Sequence, residues 1–137
     1  MIRSLAAKLG GGSKPYRTVV IDQRGEFIPE EYGGLSVDVL GGYRKAEGIR
    51  IAIGSLSPQI VIIDELSDAG ECEAVGQMGS CGVKLVATAQ GGSLDEVLTN
   101  SGVEGLWNDG FFGFAAGLYG MAGEREIQMI GRENSWD

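Results

Sequence analysis

The sequence predicts an α/β domain built on a mainly parallel sheet, and three observations carry that expectation. Tyr16 to Ile21 and Ile60 to Ile63 are runs of β-branched and aliphatic residues without polar alternation, the pattern of strands buried on both faces. Segments with apolar residues at helical spacing separate the strand-like runs. The resulting order is helix, strand, long loop, helix, strand, helix, strand, helix, strand, strand, and strands alternating with helices indicate a parallel sheet.

Residues 2–9 place Ile2, Leu5, Ala6 and Leu9 at i, i+3, i+4 and i+7, one apolar helix face. Gly10 to Pro15 ends that helix, and the strand Tyr16 to Ile21 follows, closing on Asp22. The polar, glycine-rich stretch from Gln23 to Gly42 holds Pro29 and Gly33-Gly34 and is too long for a turn, so a functional loop is expected there. Helical spacing returns over 44–56 through Ala46, Ile49, Ile53 and Leu56, until Ser57-Pro58 breaks it. The strand Ile60 to Ile63 runs directly into Asp64-Glu65. A helix is expected from Ala69 to Ser80, and a third strand from Val83 to Ala89. Ser93 and Glu96 have the spacing of a capping box and open a helix through Leu98. Phe111 to Tyr119 and Glu124 to Ile130 read as a hairpin across Gly120 and Gly123, and Glu133 to Asp137 as a frayed end.

Composition bounds the function. The 137 residues are 43% hydrophobic and 22% charged, as in one globular domain spanning 1–137. The net charge of −8 argues against nucleic acid as a partner, because phosphate contact needs clustered Lys and Arg. No apolar run reaches the roughly 18 residues of a membrane span, so no direct membrane insertion is expected, and Met1 to Leu9 lacks the apolar core of a secretory signal. Cys72 and Cys81 have no metal-ligand spacing and read as reduced, buried thiols of a cytoplasmic protein. Histidine is absent, which excludes Ser-His and Cys-His nucleophiles.

Open α/β sheets place their sites at the carboxyl ends of strands. Three tips carry polar chemistry: Asp22, the pair Asp64-Glu65, and Thr88-Ala89-Gln90. Four aliphatics followed by Asp-Glu have the form of a Walker B element. An aspartate on a rigid strand end can hold Mg²⁺ through water, and a neighbouring glutamate can orient or deprotonate an attacking water. Two acids where a buried strand meets solvent are equally what an ordinary strand end shows. Asp22 to Glu26 brings acids and Arg24 to a second tip, and Gln90 could sense a γ-phosphate from the third. Gly10 to Lys14 is not a phosphate-binding loop, since a helix precedes it and Pro15 and a strand follow. The sequence contains no Gly-Lys pair. A receiver domain would need a lysine at a fifth strand tip, and none occurs after Lys84.

VVIDQRGEF (19–27), VDVLGGYRKAEGIRIAIGSLSPQIVIIDEL (37–66) and VATAQGGSLDEVL (86–98) together resemble the stage III sporulation protein AA family, whose members resemble the RecA-like ATPases of type II and type IV secretion. The resemblance covers about residues 2–130. It implies a RecA-like P-loop NTPase domain of three α/β/α layers, in which 2–9 would be the rear of the helix after the P-loop. The P-loop strand would then belong beside the strand at 83–89, leaving that edge unpaired here. It further implies ATP and Mg²⁺ as ligands, with Asp64 on the metal ion and Glu65 on water. Asp22, Arg24 and Thr88 would lie toward the nucleotide, Glu26 would approach it as a further catalytic residue beside Glu65, and Gln90 would stand at the γ-phosphate. Gln23 replaces a usual glutamate, Gln90 a usual histidine and Gly54 a usual arginine. These departures and the lack of a P-loop predict no hydrolysis by this chain alone. By analogy the partners would be further copies in a hexamer and proteins of a sporulation membrane complex, with the chain peripheral at the inner face of a membrane. The alternative is a non-catalytic remnant that binds other proteins.

Overall fold

The computed structural model describes residues 1–100, 102–120 and 126–131. Its centre is a four-stranded parallel sheet in the order β2-β1-β3-β4, formed by Thr18–Asp22 (β1), Val37–Gly41 (β2), Ile60–Ile63 (β3) and Lys84–Ala87 (β4). Thr18 pairs with both Val37 and Ile60, and Ile60 with Lys84, so the four strands end nearly level. The helices are Ile2–Leu9 (α1), Lys45–Ile51 (α2), Ala69–Met78 (α3), Leu94–Leu98 (α4) and Val103–Asn108 (α5). A π-helical turn over Ala52–Leu56 extends α2.

The two central strands explain the unalternating sequence. Every residue of β1 and β3 is buried. Val19, Ile21, Val61 and Ile63 pack with Ile49 and Ala52 of the α2 segment, Val75 and Met78 of α3, and Leu106 of α5. Val20, Ile60 and Ile62 point the other way, onto Ala6 of α1 and the loop residues Phe27 and Tyr32. A parallel sheet with helices on both faces is the three-layer arrangement expected.

Three expectations are corrected. The 23–42 stretch is not one loop. Its last part is β2, which pairs in parallel with β1, and a 3₁₀ turn spans Pro29–Tyr32. Asp38 interrupts the apolar pattern of β2 because this is an edge strand with only half-buried side chains. Helix α5 also lies where no element was expected, since its single turn and a half is too short to show helical spacing. Cys81 is exposed, while Cys72 is buried as foreseen. The 3₁₀ turn Gly79–Cys81 carries Cys81 out of the helix face that buries Cys72.

Phe114–Tyr119 (β5) and Glu126–Gly131 (β6) form the expected hairpin as a separate antiparallel pair. The connection expected around Gly123 and the end expected to fray at 133–137 lie outside the described residues. The Tyr119 hydroxyl anchors the hairpin, accepting the Leu94 N–H at 2.7 Å and donating to Gln128 Oε1 at 3.1 Å. Between β4 and β5 runs an apolar groove of about 1100 Å³, lined by Met1, Ile2 and Leu5 of α1, Val86 of β4, Leu94 of α4 and Leu118 of β5. β4 is an edge of its sheet, as expected for the strand at 83–89, and no strand among the described residues pairs with its outer side.

Candidate functional site

The carboxyl ends of β1 and β3 converge on a polar pocket of about 200 Å³, and Thr88 and Gln90 reach its acids from the end of β4. Asp22, Arg24 and Glu26 come to it from β1, and Asp64 and Glu65 from β3. Lys45 of α2 and Glu71 of α3 complete its wall. Helix α2 approaches closely because Gly48 faces β1, where a Cβ would lie 2.9 Å from Ile21 Cγ2.

Asp22 is buried, with 4% of its surface exposed. Its Oδ1 accepts the Glu26 N–H at 3.0 Å and its Oδ2 the Phe27 N–H at 2.9 Å. Ionised acceptors make such bonds strong, so Asp22 shapes the 23–27 turn as well as lining the pocket. Gly25, at φ +71°, supplies the left-handed residue within that turn.

Thr88 holds the end of β3 to β4. Its N–H donates to the Ile63 carbonyl at 3.1 Å, and its own carbonyl accepts the Leu66 N–H at 2.7 Å. Its hydroxyl accepts the Glu65 N–H at 2.9 Å and donates to Asp64 Oδ1 at 2.6 Å. The hydroxyl thus uses its single proton on Asp64.

Glu65 receives the most contacts. Its Oε2 is paired with Arg24, and its Oε1 accepts from Gln90 Nε2 at 2.8 Å. Arg24 reaches over from the first tip with 63% of its side chain exposed and lies 4.0 Å from Glu26 Oε1. The structure therefore gathers Arg24, Asp64, Glu65, Thr88 and Gln90 in one hydrogen-bonded set, with Asp22 and Glu26 at its margin. No group of three or more His, Cys, Asp or Glu residues capable of holding a metal exists among the described residues.

Sequence reasoning passed over Lys45, Ser67 and Glu71. Glu71 had a readable signal, since Asp68-x-x-Glu71 is a capping box. The Asp68 side chain accepts the Glu71 N–H at 2.8 Å, and Glu71 Oε2 accepts the Asp68 N–H at 3.4 Å. Lys45 had only its place in the KAEG segment.

Residues 15–131 match the family model described as Sporulation stage III, protein AA. The chain belongs to this family. It is 30% identical over 121 residues to the Stage III sporulation protein AA of Bacillus subtilis (strain 168), an alignment covering 82% of this chain and 39% of that protein. The chain thus spans about two fifths of the length of that relative. Among solved structures, the fold is similar to that of the Legionella pneumophila ATPase DotB, with a TM-score of 0.66, 20% identity, and coverage of 93% of this chain and 40% of that one. It is similar also to the pilus retraction motor PilT with bound ADP, with a TM-score of 0.61, 14% identity, and coverage of 93% and 41%. The RecA-like α/β expectation is borne out: this sporulation-family chain has the fold of part of the secretion ATPases.

Proposed function

We propose that the chain is the carboxylate-bearing part of an ATP-hydrolysing domain of the secretion type. In this reading Asp64 is directed to Mg²⁺ bound with ATP, and Glu65 orients the attacking water. The observation that carries it is the set of contacts at the end of β3. There a strand with every residue buried delivers two adjacent carboxylates, one held by the Thr88 hydroxyl and the other between Arg24 and Gln90. A preorganised acid beside a nucleotide is what water activation needs. Bound Mg²⁺ would supply charge neutralisation at the phosphates. This chain's own residues would supply the position of the ion, through Asp64, and the position of the water, through Glu65. Gln90 can donate an amide hydrogen toward a γ-phosphate, and Arg24 can swing from Glu65 toward it.

A phosphate-binding loop is the missing component, because the sequence holds no Gly-Lys pair. We assign the outer edge of β4, which no strand among the described residues pairs, to the strand that would carry this loop. Met1 and Ile2 line the adjoining groove, so a chain leaving such a strand could enter α1 directly. On its own the 137-residue chain is expected to hydrolyse no ATP. Assembly with further copies into a hexamer, contact with sporulation membrane-complex proteins and a cytoplasmic position at the inner face of a membrane belong to the same proposal. Among the described residues no helix is long and apolar enough to cross a membrane.

The test joins the segment preceding the matched region in the Bacillus subtilis relative to this chain and measures phosphate release. Hydrolysis that falls at least tenfold with Glu65→Gln supports the reading. A folded chimera that binds ATP without turnover favours instead the non-catalytic, partner-binding remnant, a reading supported by Gln23 and Gln90, where an acid and an imidazole are usual in the family.

A further inference from the structure

Glu65 has φ +57°, one of two non-glycine residues with positive φ among those described. The left-handed region crowds the Cβ of an L-residue, and it persists where surrounding contacts over-determine it. Two of those contacts come from Thr88, which binds the N–H groups of Glu65 and Leu66. A third comes from α2: Lys45 Nζ donates to the Glu65 carbonyl.

Lys45 is itself held. Only 11% of its side chain is exposed, and Nζ lies 3.4 Å from Glu71 Oε1, whose side chain is 12% exposed. The other oxygen of Glu71 accepts the Ser67 N–H at 2.9 Å and lies 3.3 Å from the Ser67 hydroxyl. Glu71 therefore ties Lys45 to the loop that follows Glu65. A lysine suits this place because its ammonium offers three donors from a compact head and can serve a carbonyl and a carboxylate together.

We infer that Lys45, anchored by Glu71, is a positioning residue that fixes the Glu65 backbone in its left-handed form and so directs the Glu65 carboxylate toward Arg24 and Gln90. The role of that carboxylate rests on the function proposed above, but the positioning itself does not. An ion pair that only ties α2 to α3 would leave the Glu65 conformation indifferent to Lys45.

The experiment is a double-mutant cycle on the 137-residue chain without nucleotide. Urea unfolding is measured for Lys45→Met in the parent and in a Glu65→Gly background, and the backbone ¹³C shifts of residue 65 are recorded in each. Glycine takes positive φ without a penalty. Loss of Lys45 is therefore expected to raise the unfolding constant about tenfold in the parent and less than about threefold beside Glu65→Gly. The Glu65 shifts are expected to leave their left-handed values in Lys45→Met and to recover partly in Lys45→Arg. Equal losses in both backgrounds, or unmoved Glu65 shifts, would overturn the inference. If Lys45→Met does not fold, Glu71→Gln, which leaves the lysine unanchored, is read in the same way. The function proposed for Glu65 fails separately, if Glu65→Gln in the P-loop chimera hydrolyses ATP at the parent rate.

Discussion

The two sides of the β3-β4 pair differ in how complete they are. At the carboxyl end of β3, polar groups are matched: Asp64 with Thr88, Glu65 with Arg24 and Gln90, and Lys45 with Glu71. Along the outer edge of β4 lies an apolar groove, and beyond it Leu118 and Met129 of the hairpin are exposed by 46% and 62%. Under the function proposed above, a matched polar cluster beside a β4 edge that no strand among the described residues pairs would be the acid half of a site, with the phosphate half supplied from the β4 side. A strand edge presents a row of unpaired N–H and C=O groups, which folded proteins usually pair, cover or guard.

The sharpest way to break this contrast is to empty each side in turn. Ile62→Ala removes a fully buried side chain from β3 and is expected to cost about 2–5 kcal/mol in urea unfolding. Leu85→Ala, on half-buried β4, is expected to cost less than half as much. Equal losses would mean that the β4 edge is as well packed as the centre. Next in size is Thr88→Val, which strands the Glu65 N–H and frees the Asp64 carboxylate. About 1–3 kcal/mol should be lost by the same measurement, with most of it returned by Thr88→Ser. No loss would show that the end of β3 is not held by this hydroxyl.

Arg24→Gln probes an exposed partner of the cluster and should change stability by less than about 1 kcal/mol, because solvent screens the pair. A larger change would make Arg24 structural rather than available to a ligand. The cysteines give the gentlest test. Cys81 is expected to react with a thiol reagent at once, and Cys72 only on unfolding. Burial pushes the Cys72 thiol above its ordinary range, with Glu71 and Asp68 adding to the rise. Its contribution is thus fully present below the ordinary thiol range and is lost as pH rises above it. A Cys72→Ala chain should lose less stability than the parent between neutral and alkaline pH.

Much of this arrangement was legible in the residues. Ile60 to Ile63 without a polar break fixed a buried strand, and the acids after it could only sit at its end. The β2 strand was hidden because an edge strand keeps polar residues such as Asp38 and glycine at its end, which read as loop. The candidate residues were found tip by tip, since each follows a strand. Their mutual contacts were not, because the pairing of Arg24 with Glu65 and of Thr88 with Asp64 spans 41 and 24 positions and depends on strand order. Lys45 was illegible for the same reason: its partners come from the β3 end and α3, which only the packing of α2 against them brings together.

The most direct test of the central claim is calorimetric titration of Mg²⁺-ATP into the 137-residue chain and into the chimera that adds a P-loop strand beside β4. The expected result is no binding by the chain alone and binding by the chimera, retained in Glu65→Gln. Binding by the chain alone, or none by a folded chimera, would contradict it.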